Sequence, residues 1–252
     1  MINYVYITTN STGHTWEAIL SAKSIKQNQE QSHVTIYTDQ EPPITKYFDK
    51  ITPIKTPENS KKAKKQRITC LIDHPEDQYV HLDSDTYVNN TPIIENTYSI
   101  AATTSTWRQQ IFNLVPSVVI INKNKETTQA LKNWLKTYAE SNNEKDQYAF
   151  DEQVKQINHK ILPPEYSAQV GEIIQVSGKI IISHCHWVSV LRNPMLPTIL
   201  LNQSEQNRLW IPPELRMIEM IYEPQNDHKL TYPSTGITQE QLNQVQTFMY
   251  VN

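Results

Sequence analysis

The sequence has 252 residues and a formal net charge of −3. That suffices for one large domain or a core domain with an appendage, and so even a balance implies no nucleic-acid partner. Cys70 and Cys185 are too few for a disulfide scaffold and suit a reducing compartment. No apolar run approaches the roughly 18 residues of a membrane span, and the opening MINYVYITTN lacks the basic region of a signal peptide. A soluble, cytoplasmic protein is expected. The only glycines are Gly13, Gly171, Gly178 and Gly236, too scattered for a GxGxxG or GxxxxGK(S/T) nucleotide loop.

Residues 3–8, NYVYIT, have the aromatic and β-branched content of a buried strand. A polar break leads to a helix over about 14–28, where Trp16, Ile19, Leu20 and Ile25 share a face. VTIY at 34–37 is a second strand, ending at Thr38-Asp39. Strand, helix and strand within 40 residues form a βαβ unit, so the expected class is α/β with a parallel sheet. Ligands of such sheets sit beyond the carboxyl ends of the strands, where Thr8, Thr9, Asn10 and Asp39 lie. Each also serves as a turn or cap residue. Their joint position suits nucleotide contact.

Residues 40–58, with four prolines, read as a loop with a short strand. Lys61, Lys62, Lys64, Lys65 and Arg67 enrich a helix running to about Ile72. A solvated face accounts for such a run; the functional alternative has Lys64 or Arg67 reaching a diphosphate. YSIAAT at 98–103 is a strand, with Trp107 and Arg108 in the loop beyond it. VPSVVIIN at 115–122 is almost wholly apolar, hence a central strand covered on both faces. Leu131, Trp134, Leu135 and Tyr138 give a helix over 125–140 its core face. Asp146 stands as the N-cap of another, whose Phe150, Val154 and Ile157 face inward. ILPPEYS at 161–167 is extended, and KIIISHCHW at 179–187 is a strand with His184 and His186 on one face. From Val188 on, Pro194, Pro197, Pro212, Pro213, Pro224 and Pro233 interrupt the chain. Thr238 then opens a last helix with a capping box to Gln241.

The most informative stretch is QYVHLDSDTYVNN, residues 78–90. It reads as a buried strand ending in Asp83-Ser84-Asp85, and residues i and i+2 of a strand share a face. Two carboxylates placed together repel and call for a cation, and a hard divalent ion with oxygen ligands is suited to them. A surface turn uses the same residue types.

These segments together resemble the GT-A type glycosyltransferases, which use nucleotide-diphosphate sugars. The likeness covers about residues 2–187 and rests on four motifs in order. They are the opening βαβ unit ending in Thr38-Asp39, YVHLDSDTYV, DQYAF followed by ILPPEYS, and IIISHCHW. Two departures, the absence of glycine in FNLVPSVVIIN and Ser167 where the family often has Asn, leave the donor open. The resemblance implies a mostly parallel, Rossmann-like GT-A sheet flanked by helices over 1–187, with 188–252 as a C-terminal extension on the acceptor side. It implies Mn²⁺ or Mg²⁺ held by Asp83, Asp85 and His184. Thr8, Thr9, Asn10, Asp39, Lys64, Arg67 and Ser84 would hold the nucleotide-sugar donor, and Asp146, Gln147 or Asp151 would act in catalysis. The acceptor is a carbohydrate or another hydroxyl compound, with Trp107, Trp187 and Trp210 as candidate stacking rings. The nearest relatives favour UDP-sugars and retain configuration. A non-catalytic nucleotide- or sugar-binding module is the main rival. A DxD phosphatase is disfavoured, because its pattern needs Thr or Val where Tyr87 stands.

Overall fold

The computed structural model describes residues 1–10, 12–107, 110–143, 145–169, 180–184, 223–224 and 230–231. By contacts the chain divides into two units, Met1–Ala168 with Glu172–His184, and Gln169–Gly171 with Cys185–Asn252. In the first, β1 (Ile2–Thr8), α1 (Thr12–Asn28) and β2 (Ser32–Thr38) follow one another, then β3 (Lys50–Pro53) and α2 (Ser60–Asp73). Next come β4 (Gln78–Leu82), β5 (Thr86–Val88), β6 (Ile100–Trp107) and β7 (Gln110–Asn122). The helices α3 (Lys125–Glu140) and α4 (Gln147–Val154) lead to β8 (His159–Ile161), β9 (Ala168–Gln169) and β10 (Ile182–His184). In the second unit, β11 (Glu223–Pro224) pairs antiparallel with β12 (Leu230–Thr231).

Seven strands form the main sheet in the order β3-β2-β1-β4-β7-β6-β8. All run in one direction except β7, which is antiparallel to β4 and β6. The expected βαβ unit is present, and the apolar segment 115–122 is central as its composition requires. It lies between β4 and β6. Successive residues of β1 serve opposite faces. Val5 joins the cluster built from Ile68, Leu71, Trp134, Tyr138 and Phe150 of α2, α3 and α4. Tyr4 and Tyr6 turn the other way and bond Gln29 and Ser21 on the α1 side, both at 2.7 Å. Helices therefore cover both faces, as a parallel sheet demands.

Two expectations change. Trp107 belongs to β6 rather than to a loop. ILPPEYS is not extended throughout, because Pro164–Tyr166 close a 3₁₀ turn. The segment 179–187 is described only over 180–184; Lys179, Cys185, His186 and Trp187 lie outside the described residues. So do Arg108, Trp210, the helix expected from Thr238, and the side chains of Trp16 and Trp107.

Trp134 ties this core to the site. It is buried, meets Phe150 edge-on with ring centroids 4.8 Å apart, and donates its indole N–H to the Asp146 carbonyl at 3.0 Å. Trp134→Ala should cost about 3–5 kcal/mol, measured as a lowered urea midpoint.

Candidate metal and donor site

The strands β1, β2 and β4 are parallel, so their carboxyl ends open on one edge. Asp83 follows β4 directly, and its N–H prolongs the ladder to Ser117 O at 2.8 Å. The strand stops there. Ser84 and Asp85 form a turn, which the Thr86 hydroxyl closes by donating to Asp83 O at 2.8 Å. The two carboxylates thus converge across a turn, not on the pleat of one strand as the alternation suggested. The chain then enters β5, against which β10 runs antiparallel with His184 opposite Thr86. That register delivers His184 Nε2 to Asp85 Oδ1 at 3.1 Å. One ligand atom each from Asp83, Asp85 and His184 fits within 4.8 Å of the others. Two carboxylate oxygens and an imidazole at that spacing suit a divalent metal ion.

Charge is balanced locally. Burial opposes a positive His184, but Asp85, and after it Asp83 and Glu17, lift its pKa to about 9. Burial also raises Asp83, with Asp85 adding to the effect and Arg67 working against it. Arg67 Nη1 donates to Asp83 Oδ1 at 3.2 Å, and Nη2 makes a short bond to Asp146 Oδ2. Its guanidinium is thus spent on bridging α2, the end of β4 and the start of α4. It does not lie on a solvated face, the other reading of the basic run. His81, beneath Asp83, donates from Nδ1 to Val5 O at 3.2 Å. Burial, then Arg67, depress its pKa to about 3, so its 3.9 Å approach to Asp83 is not an ion pair.

Asp146 precedes α4 as expected, yet it is no side-chain cap. Its backbone is already helical, at φ −79° and ψ −14°, and no capping bond forms. The carboxylate, buried at 5 % exposure, goes to Arg67 instead. Gln147 beside it is half-buried. Asp151 turns elsewhere. It accepts from Leu114 N–H at 2.8 Å and from Lys155 Nζ at 2.7 Å, anchoring α4 to β7. Of the nucleotide-side candidates, Thr8 is buried, with its hydroxyl accepting from Thr15 at 3.5 Å, and Thr9 is half-buried. Asn10 has φ 59°, a left-handed conformation that Asn tolerates. Its N–H reaches Asp39 Oδ2 at 3.0 Å, joining the ends of β1 and β2. Asp39 Oδ1 is buried with no partner among the described residues. Lys64 is half-buried on α2, one turn before Arg67.

Sequence reasoning missed Glu17 and His14. Glu17 is buried in α1, and its Oε2 accepts from Ser84 Oγ at 3.0 Å and His14 Nδ1 at 2.9 Å. Burial raises the Glu17 pKa, opposed by His14; that bond in turn raises His14. Ser21 Oγ and Thr86 Oγ1 lie 2.9 Å apart, and Ser24 Oγ accepts from Val88 N–H at 2.9 Å. A polar stripe of α1 therefore follows residues 84, 86 and 88. The spacing 17, 21, 24 was legible as one helix face, but polar residues at that spacing read as solvent-facing.

Among solved structures, the chain is similar to the glycosyltransferase GlyE of Streptococcus pneumoniae TIGR4. The TM-score is 0.56 at 17 % identity, over 73 % of this chain and 55 % of GlyE. It is similar to the galactosyltransferase LgtC, solved in complex with donor and acceptor sugar analogs, with TM-score 0.54, 10 % identity and coverage of 86 % and 100 %. For the bifunctional glycosyltransferase WbbM the values are 0.52, 10 %, 73 % and 45 %. The chain spans about half the length of GlyE and WbbM. No protein-family model and no curated protein matches the sequence. The fold is that of the GT-A glycosyltransferases.

Two outcomes are expected. Because the folded pKa of His184 lies above its ordinary 6.5, its pairing contributes stability that is complete below pH 6.5 and is lost as the pH rises through about 9. Urea midpoints should fall across that window in the parent and fall less in Asp85→Asn. Asp151→Ala should cost about 1–3 kcal/mol by leaving the buried Leu114 N–H unpaired, with divalent-metal affinity unchanged in a calorimetric titration.

Proposed function

We propose that this chain is a metal-dependent glycosyltransferase that moves a sugar from a nucleotide-diphosphate donor, a UDP-sugar, to a hydroxyl of a carbohydrate or similar acceptor. The observation that carries the reading is the meeting of Asp83, Asp85 and His184 within 4.8 Å, at the carboxyl edge of a GT-A sheet. LgtC, of like fold, was solved with donor and acceptor sugar analogs, which supports a two-substrate transfer.

Transfer breaks the bond between the anomeric carbon and the diphosphate, and negative charge gathers on the leaving group. Bound to these three residues, Mn²⁺ or Mg²⁺ would supply Lewis-acid stabilisation of that charge. The imidazole favours Mn²⁺. At the far side of the edge, Asp39 Oδ1, which has no partner among the described residues, accepts an N–H or O–H of the nucleoside, with Thr9 and Asn10 beside it. Asp146, bonded to Arg67, receives the donor sugar's hydroxyls or takes the acceptor proton. Arg67 positions rather than binds, setting the spacing between the metal turn and Asp146. Residues from Val188 on take the acceptor.

The test is nucleotide release from a panel of UDP-, GDP- and CMP-sugars with and without Mn²⁺. Release from a UDP-sugar that needs Mn²⁺ is expected, and Asp85→Asn should abolish Mn²⁺-dependent nucleotide binding in a chain that still unfolds cooperatively, its urea midpoint at neutral pH lowered only by the lost His184 pairing. Asp146→Asn should slow turnover by about 10²–10⁴-fold. Mn²⁺-dependent binding of a nucleotide-sugar without any release would make the chain a binding module instead.

A further inference from the structure

Behind the three ligands stands a further carboxylate that the mechanism does not use. Glu17 is 7 % exposed, belongs to a different element from every ligand, and shares Oε2 between Ser84 Oγ at 3.0 Å and His14 Nδ1 at 2.9 Å. Ser84 is the residue between Asp83 and Asp85. Its side chain, drawn toward α1, fixes the turn whose two neighbours carry the ligand oxygens. The contact is the first rung of a ladder, since Ser21 reaches Thr86 and Ser24 reaches Val88 further along. Helix steps of three to four residues advance about 5 Å and two-residue strand steps about 6.6 Å, so the two stay nearly in step for three rungs. The lower rungs, hydroxyl to hydroxyl and hydroxyl to backbone, are neutral. Only the rung at the metal turn uses a buried carboxylate, and a charged acceptor makes the stronger bond.

We infer that Glu17 is a positioning residue, which through its bond to Ser84 holds the Asp83–Asp85 turn in the geometry that binds the metal ion. The inference rests on the metal reading above. A carboxylate would be a costly way merely to fasten a helix, because burying it carries a desolvation cost that a serine avoids. Its use at this rung alone follows from what the rung orients. Partners that orient metal ligands in this way are worth about 10–100-fold in metal affinity.

The experiment is titration of the intact chain with Mn²⁺ alone, followed by electron paramagnetic resonance, with urea midpoints measured in parallel. Glu17→Ala and Ser84→Ala should each weaken Mn²⁺ binding by about 10–100-fold. The double variant should be no weaker than either single one, since both remove one interaction. Glu17→Gln, which keeps an acceptor for Ser84, should return affinity to within a few-fold of the parent. A purely structural Glu17 would lower the urea midpoint and leave Mn²⁺ affinity within threefold of the parent, and that result overturns the inference. So do losses that add fully in the double variant. If the parent takes up Mn²⁺ and Asp85→Asn does not, the metal reading stands whatever Glu17 does. A parent that takes up no Mn²⁺ overturns both.

Discussion

Holding Asp83, Asp85, Asp146 and Glu17 at one edge of the sheet is the constraint on which the rest of the site depends. Carboxylates so placed repel, and each is partly or wholly out of water, so the arrangement persists only if cations are placed among them. The chain supplies Arg67 between Asp83 and Asp146, His184 against Asp85, and His14 against Glu17. Every one of these partners comes from a different element than the carboxylate it faces, His14 excepted. Secondary structure alone therefore cannot assemble the site; the folded packing of α1, α2, α4 and β10 around the end of β4 does.

Arg67 shows how such a network changes the meaning of a residue. On a basic helix it looked available for phosphate, and a solvated lysine-rich face was its alternative. Burial between two carboxylates takes it off the solvated face. Its planar, forked guanidinium can donate to both at once, which a lysine ammonium does with less geometric control. It thereby couples the position of the Asp83–Asp85 turn to the start of α4, and Trp134, bonded to the Asp146 carbonyl, fixes that start from the core side.

Much of the fold was legible because its signals are local. The βαβ opening, the apolar run of β7 and the faces of α3 and α4 follow from periodicity and from what a covered strand must contain. The direction of β7 was not, since an apolar run carries no sign of whether its neighbours run with or against it. The polar stripe of α1 was hidden for a related reason. Periodicity marks which residues share a face, but only a polar partner on another element makes burying serines and a glutamate tolerable.

The sequence by itself determined the class of the fold, the presence of Asp83 and Asp85 at the end of a buried strand, and an order of motifs that resembles that of the GT-A glycosyltransferases. It also pointed to His184, a hundred residues on, as their companion. The tertiary structure decided how these meet and what their neighbours do. The carboxylates converge through a turn stitched to α1, Arg67 is drawn in between Asp83 and Asp146, and Asp146 faces that arginine instead of capping its helix. Asp151 becomes an anchor for β7. The division has a physical cause. Strand and helix periodicities act over a few residues and can be read from their order, whereas ion pairs and buried hydrogen bonds depend on distances between segments far apart in the chain. Those distances exist only once the sheet and its helices have packed.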